Sequence, residues 1–261
     1  MCTVVILRRP EHAWPVILGA NRDEMVDRPW SQPARHWPDR ADVVAGRDEL
    51  AGGTWMGLND NGVVACILNR HGSLGPAPGK RSRGELALEA LDHADAAAAA
   101  DALSDISPSA YRPFNLVIAD NASAWWLALA SGANGSEGSV QTRPIPDGLS
   151  MFTAFDRNDK TDTRIASFLP SFEAATPPDP DENSWSAWKT LLASTETHGE
   201  PYHAMSFRTD SGFGTSSSSL LALPSVEVAL GDNAKRPIGL FAAGRPDSAP
   251  FHPVDFGAPT R

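Results

Sequence analysis

Met1-Cys2-Thr3-Val4-Val5-Ile6-Leu7-Arg8-Arg9, turning at Pro10-Glu11-His12-Ala13 and running on through Val16-Ile17-Leu18-Gly19-Ala20 into Asn21-Arg22-Asp23-Glu24, is the stretch on which the reading of this chain depends. Thr3 to Leu7 is β-branched and aliphatic and predicts a strand, with Val16 to Leu18 as its return. A turn centred between Glu11 and His12 puts Cys2 opposite Asn21, in a register that can slip by about two residues. Asp23 then falls near the beginning of the first strand, and Asn21-Arg22-Asp23-Glu24 lies beside the thiol. A carboxylate there holds or orients an amine. A guanidinium there grips an acidic substrate group through two hydrogen bonds.

Position 2 gives the cysteine a second property. Met before a small residue is expected to be removed after synthesis, which frees the α-amine of Cys2. A model α-amine titrates at about 7.7–8.0 and a free thiol at about 8.5. One residue can therefore carry nucleophile and base together, as N-terminal threonine does in related chemistry. Cys66 reads differently. It sits in Val63-Val64-Ala65-Cys66-Ile67-Leu68, a buried-strand pattern, and is expected to be a packed, inert thiol.

Outward from these strands, Val43 to Gly46 and Thr54 to Leu58 predict two more, and Asp60-Asn61-Gly62 predicts the hairpin turn into Val63 to Leu68. The hairpin signals suggest that Thr3–Leu18 and Thr54–Leu68 share a sheet. Ser82-Arg83-Gly84-Glu85 matches a capping box before a helix, and Asp95 to Leu103 is Ala-rich and helical. Phe114 to Ala119 and Ala124 to Leu129 form another hairpin. Thr163 to Leu169 and Ser184 to Ala193 predict helices, and Leu220 to Leu223, Val226 to Leu230 and Gly239 to Ala242 predict late strands. Thr176 to Asn183 reads as a loop rather than a linker. The expectation is one α+β domain over residues 1–261, with helices covering sheet faces.

Composition narrows the function classes. The chain has 261 residues, 41% apolar and 21% charged, with a formal net charge of -10, so a nucleic-acid partner finds no basic face. Lys80-Arg81-Ser82-Arg83 is the longest basic cluster and reads as a solvated loop. No apolar run approaches the roughly 18 residues of a membrane span. The first apolar run precedes its charges, the reverse of a secretory leader, so a cytoplasmic location is expected. Two cysteines make no disulfide framework, and no Cys or His pair has zinc-ligand spacing. No metal or cofactor is called for. The expected partner is a small-molecule substrate or ligand, and the oligomeric state is not legible. His12, His71 and His203 have no motif partner. Trp14, Trp30, Trp37 and Trp55 are candidates for core packing or for lining a substrate pocket, and Arg35 and His36 lie in a Pro-rich loop.

Met1-Cys2-Thr3, then Gly19-Ala20-Asn21-Arg22-Asp23-Glu24, then Gly52-Gly53-Thr54-Trp55-Met56-Gly57 resemble the NRDE family, which includes the transport and Golgi organisation 2 relatives. Ser82-Arg83-Gly84, Phe114-Asn115-Leu116 and Phe213-Gly214-Thr215 fit it too. That family is similar in pattern to N-terminal-nucleophile (Ntn) hydrolases of the choloylglycine hydrolase and penicillin V acylase group. The resemblance implies a four-layer αββα sandwich of two antiparallel sheets covered by helices. It implies Cys2 as nucleophile, Asp23 as its orienter and Asn69, at the end of the strand after Asn61-Gly62, as an oxyanion donor pointing its amide toward Cys2. Such a donor stabilises a transition state by roughly 3–4 kcal/mol. Asn21, Arg22 and Trp55 are the expected substrate-binding residues. Three positions depart from the acylases: Ala20 stands where they carry arginine, Ala154 follows Thr153 where they have asparagine, and Ser216 replaces a second arginine. Two functions are compatible with this pattern. One is a Cys-dependent amidase or acyl transferase acting on a small amide. The other is a non-enzymatic carrier of a haem- or lipid-like ligand.

Overall fold

A computed structural model describes residues 2–130 and 138–257. In chain order the elements are β1 (Thr3–Arg8), β2 (Val16–Met25), β3 (Trp30–Ala34), β4 (Val43–Asp48), β5 (Met56–Asn59) and β6 (Val64–Asn69). Helices α1 (Gly84–Leu91) and α2 (Ala96–Ser104) follow, then β7 (Phe114–Ala119), β8 (Ala124–Leu129), β9 (Val140–Pro144) and β10 (Gly148–Phe152). The last part holds α3 (Thr163–Ala174), α4 (Ser186–Leu192), β11 (Phe213–Leu223), α5 (Val226–Leu230), β12 (Ile238–Ala242) and β13 (Phe251–Pro253).

Among the described residues the strands make two antiparallel sheets, one in the order β10-β1-β2-β11-β12-β13 and one in the order β3-β4-β5-β6-β7-β8-β9. The chain divides into two compact units accordingly. One comprises Met1–Arg28 and Asp147–Val254, the other Pro29–Pro146 and Asp255–Arg261. The first sheet buries one face under α3 and α4: Val5, Ile17, Met151 and Leu220 pack with Ile165, Phe168, Phe172, Trp188 and Leu192. The second does the same under α1 and α2, where Ala65, Ile67, Leu116 and Leu127 meet Leu86, Leu91, Ala99 and Leu103. Asp95 caps α2 by accepting from the Ala98 N–H, which satisfies one of its orphan donors.

Two hairpins expected to share a sheet lie in different ones. The physical reason is that both edges of each are taken by distant segments, β1 by β10 and β2 by β11, β5 by β4 and β6 by β7. Hairpin chemistry is local, and it carries no information about such pairings. The first turn is also shifted by one. Seven residues, Arg9 to Pro15, separate Arg8 from its partner Val16, so the turn centres on His12 and Thr3, not Cys2, faces Asn21. Val226 to Leu230 is helical rather than extended, because the Ser225 hydroxyl accepts from the Val228 N–H and starts a turn. The capping box at Ser82 does not form. Arg83 is the N-cap, and Glu85 pairs with Arg81 at 2.6 Å instead of reaching back. The Pro-rich loop before Arg35 contains edge strand β3, where Pro33 is tolerated because one side of the strand has no ladder to satisfy. Ser216 to Ser219 lies inside β11.

Two of the short motifs explain each other. A side chain on Gly53 would place its Cβ 2.6 Å from the Gly84 backbone, and one on Gly84 would sit 3.0 Å from Thr54. The Thr54 N–H donates to the Gly84 carbonyl at 3.2 Å. Gly52-Gly53-Thr54 and Ser82-Arg83-Gly84 are thus the two sides of one close backbone approach at the start of α1. Gly62, at φ 87°, is the left-handed residue of the Asn59–Val63 turn, while the Asn59 amide reaches the Leu91 and His93 carbonyls at 2.8 Å.

Candidate active site

Strand alternation sorts the first motif onto two faces. Thr3, Asn21 and Asp23 lie on the helix-covered face with Val5 and Ile17, and Cys2 and Arg22 lie on the other. Cys2 is half-buried, and its sulfur hydrogen-bonds to the main chain of Asp23: the Asp23 N–H donates to Sγ at 3.4 Å and the thiol reaches the Asp23 carbonyl at 3.6 Å. Burial pushes the Cys2 thiol above its ordinary value, and the Asp23 charge adds to this. The Asp23 N–H and the Arg22 guanidinium pull the other way, with Arg22 the weakest influence. Arg22 favours the thiolate, but desolvation outweighs it. Cys66 is pushed up by burial alone and sits fully inside β6, as its strand pattern indicated.

The Asp23 carboxylate is the most constrained group near Cys2. Its Oδ2 receives Arg164 Nη1 at 2.8 Å, and its Oδ1 receives the Thr215 hydroxyl at 2.8 Å. The Asp23 and Arg164 side chains are 0% and 1% exposed. Arg164 Nη1 also donates to the Thr3 hydroxyl at 2.8 Å, Nη2 donates to the Tyr202 carbonyl at 2.6 Å, and the guanidinium stands 5.4 Å from the Phe207 ring centroid. At the N-cap of α3, Asp162 accepts from the Arg164 N–H and from the Thr153 hydroxyl. A buried ion pair stays favourable only when such hydrogen bonds complete it. The β1–β2 ladder ends at Thr3 and Asn21, two residues before Asp23 on β2.

The remaining expected site residues are distributed. Asn21 donates its amide to the Leu192 and Met205 carbonyls at 2.9 and 2.8 Å, tying α4 and the following loop to β2. Arg22 Nη1 donates to the Ser216 hydroxyl at 2.9 Å, and Glu24 lies 4.0 Å from Nη2. Ser216 is the extra residue of a β-bulge, which lets Thr215 face Asp23 while Ser217 faces Arg22. Gly214 is required there, since a Cβ would lie 2.4 Å from the Phe207 carbonyl oxygen. Trp55 packs edge-on to Trp30 and fills the space above Gly46. Asn69 ends β6 in the other unit, opposite Phe114 of the helix-side core. Met1 lies outside the described residues.

Arg164 was missed in the sequence. The signal was present: Arg164 shares a helical stripe with Phe168 and Phe172, and a charge on an apolar face demands a buried partner. No group of His, Cys, Asp and Glu among the described residues has the arrangement of a metal site. No helix among them is long and apolar enough to cross a membrane.

The family model described as transport and Golgi organisation 2 matches residues 1–222. This chain belongs to that family. Mouse and bovine members, each a transport and Golgi organization 2 homolog, are both 33% identical over 120 residues, which is 42% of this chain and 40% of theirs. The match thus spans less than half the length of these curated relatives. Solved structures show the fold. The Caenorhabditis elegans ortholog of N-acylethanolamine-hydrolyzing acid amidase superposes with a TM-score of 0.57 at 13% identity, over 84% of this chain and 92% of its own. A variant of the conjugated bile acid hydrolase from Clostridium perfringens gives 0.51 at 11% identity, over 98% of each chain. This member of the transport and Golgi organisation 2 family therefore has the α+β, αββα sandwich fold of Ntn hydrolases, as the motifs implied.

Proposed function

We propose that the chain is a Cys-dependent Ntn amidohydrolase or acyl transferase acting on a small amide, with residues 1–261 working as one domain. Removal of Met1 frees the α-amine of Cys2. The amine takes the thiol proton as sulfur attacks the amide carbonyl, and returns it to the departing amine. A thioester remains on Cys2, and water or a second amine releases the acyl group. The observation that carries this reading is the placement of Asp23. Its carboxylate is fixed by Arg164 and Thr215 while its main chain holds the Cys2 sulfur, and this supports assigning it to orient the Cys2 α-nitrogen. Arg22, on the same face as the thiol, is assigned to the substrate, and Asn21 to holding the strand it sits on. The N-acylethanolamine and conjugated bile acid in the names of the fold relatives set the substrate class to test first.

The test uses a panel of N-acyl amides with a fluorogenic amine and acyl chains of graded length. The mature chain is expected to release the amine. The same chain with an uncleaved extension before Cys2 is expected to be inactive, because its α-nitrogen is an amide and no longer a base. Equal turnover by both forms would overturn the free-amine mechanism. In the same assay Asn69→Ala is expected to lower kcat by about 10²–10³-fold, the usual loss for one oxyanion donor. An unchanged kcat would remove Asn69 from the site. A purified protein that is coloured, or holds lipid, and releases no amine would favour the carrier reading.

A further inference from the structure

Resting on the Ntn reading, we propose that Arg164 is a positioning residue that keeps the Cys2 α-amine a base, by neutralising the carboxylate that holds it. Asp23 alone creates a difficulty. A carboxylate beside an amine favours the ammonium form, and an ammonium cannot take the thiol proton. Arg164 answers this by geometry. Its guanidinium touches Asp23 at 2.8 Å, both side chains are sealed from water, and the same Nη1 reaches Thr3, the residue next to Cys2. The pair together is neutral, so the carboxylate can accept an N–H from the amine without adding a net negative charge.

The other groups around this point do not replace it. On β2, Arg22 points to the opposite face with its charge set against Ser216 and Glu24. On α3, Asp162 is committed to the Arg164 N–H and Thr153. β11 brings the hydroxyls of Thr215 and Ser216, and the preceding loop brings the Tyr202 and Met205 carbonyls and the Phe207 ring, all of them uncharged. On β10 the neighbour of Val4 is Phe152, with no charge. Arg164 is a cation directly paired with Asp23, and the position sits on a helix rather than on the arginine positions of the acylases, which here carry Ala20 and Ser216.

The test follows kcat/KM against pH on an amide probe, and the iodoacetamide reaction of Cys2 against pH without substrate. Arg164→Met is expected to move the acidic limb of both profiles up by about one pH unit or more, as a newly unbalanced carboxylate holds the amine protonated. Arg164→Lys keeps the charge and should leave the limb within a few tenths of a unit by the same principle, even where kcat falls. Asp23→Asn combined with Arg164→Met should bring the limb back. Should Arg164→Met fail to fold, Asp23→Asn alone gives the converse reading, a downward shift. An unmoved limb in the Met variant, or a Lys variant that shifts as far as Met, overturns the inference. Turnover that survives Cys2→Ala, or a mature chain retaining Met1, sinks the amidase reading and this inference with it. Cys2-dependent turnover with a limb indifferent to residue 164 sinks the inference alone.

Discussion

Cys2→Ala is expected to abolish amide turnover, by about 10⁴–10⁶-fold, because removing the nucleophile of a concerted unit costs nearly all that the unit supplies. The fold should survive. The Cys2 side chain is half-buried and, among the described residues, hydrogen-bonded only to the Asp23 main chain, so the melting temperature is expected to stay close to that of the parent. Cys66→Ala gives the opposite pattern. That thiol is 1% exposed within β6, and its loss leaves a small void that lowers stability while turnover persists. Cys2→Ser should retain binding and lose most of kcat, since a serine hydroxyl is a poorer nucleophile here. Iodoacetamide is expected to label Cys2 before Cys66. Burial pushes both thiols up, but the one inside β6 is sealed while Cys2 is half-buried. Labelling of Cys2 should accelerate as pH rises, since the reactive thiolate is the minority form near neutrality.

The second large effect is on stability. Asp23→Ala leaves the Arg164 guanidinium buried at 1% exposure without its carboxylate, and also removes the acceptor of the Thr215 hydroxyl. A broken buried ion pair costs about 3–5 kcal/mol, whereas replacing both partners with neutral groups of similar size costs far less. Urea unfolding is therefore expected to show a lower midpoint for Asp23→Ala than for Asp23→Asn combined with Arg164→Met. A double variant as unstable as the single one would mean that hydrogen bonding to Thr3, Tyr202 and Thr215, rather than charge, holds this part of the molecule together. Stability also has to be separated from catalysis here. The double variant should fold and still lack the acid that orients Cys2, so its kcat remains low.

The sequence made the two ends of this argument legible and hid the middle. Cys2, Asp23 and the first hairpin are read from a strand pattern, a turn and the position of a thiol. Each is a local fact, and local facts survive folding. The αββα fold was legible through motifs rather than periodicity. Gly52-Gly53 and Gly84 mark a contact between segments about 30 residues apart that no window-based reading detects. Sheet membership was not legible, since β1 and β2 complete their sheet with β10 and β11 from the far end of the chain. Arg164 was overlooked because a helix read for its apolar residues passes over the one charge on the same face. Ser216-Ser217-Ser218-Ser219 has no apolar alternation and so carries no strand signal of its own. It is a buried strand whose hydroxyls meet Arg22 and Asp23.

Acyl trapping tests the central claim most directly. The purified chain is mixed with an activated acyl donor, quenched in acid within seconds, and its intact mass and N-terminal peptide are measured. The account predicts a chain lacking Met1, with one acyl group on the sulfur of Cys2, which disappears on standing as the thioester is released. A chain that keeps Met1, or an N-terminal peptide that stays unmodified while product accumulates, would contradict it.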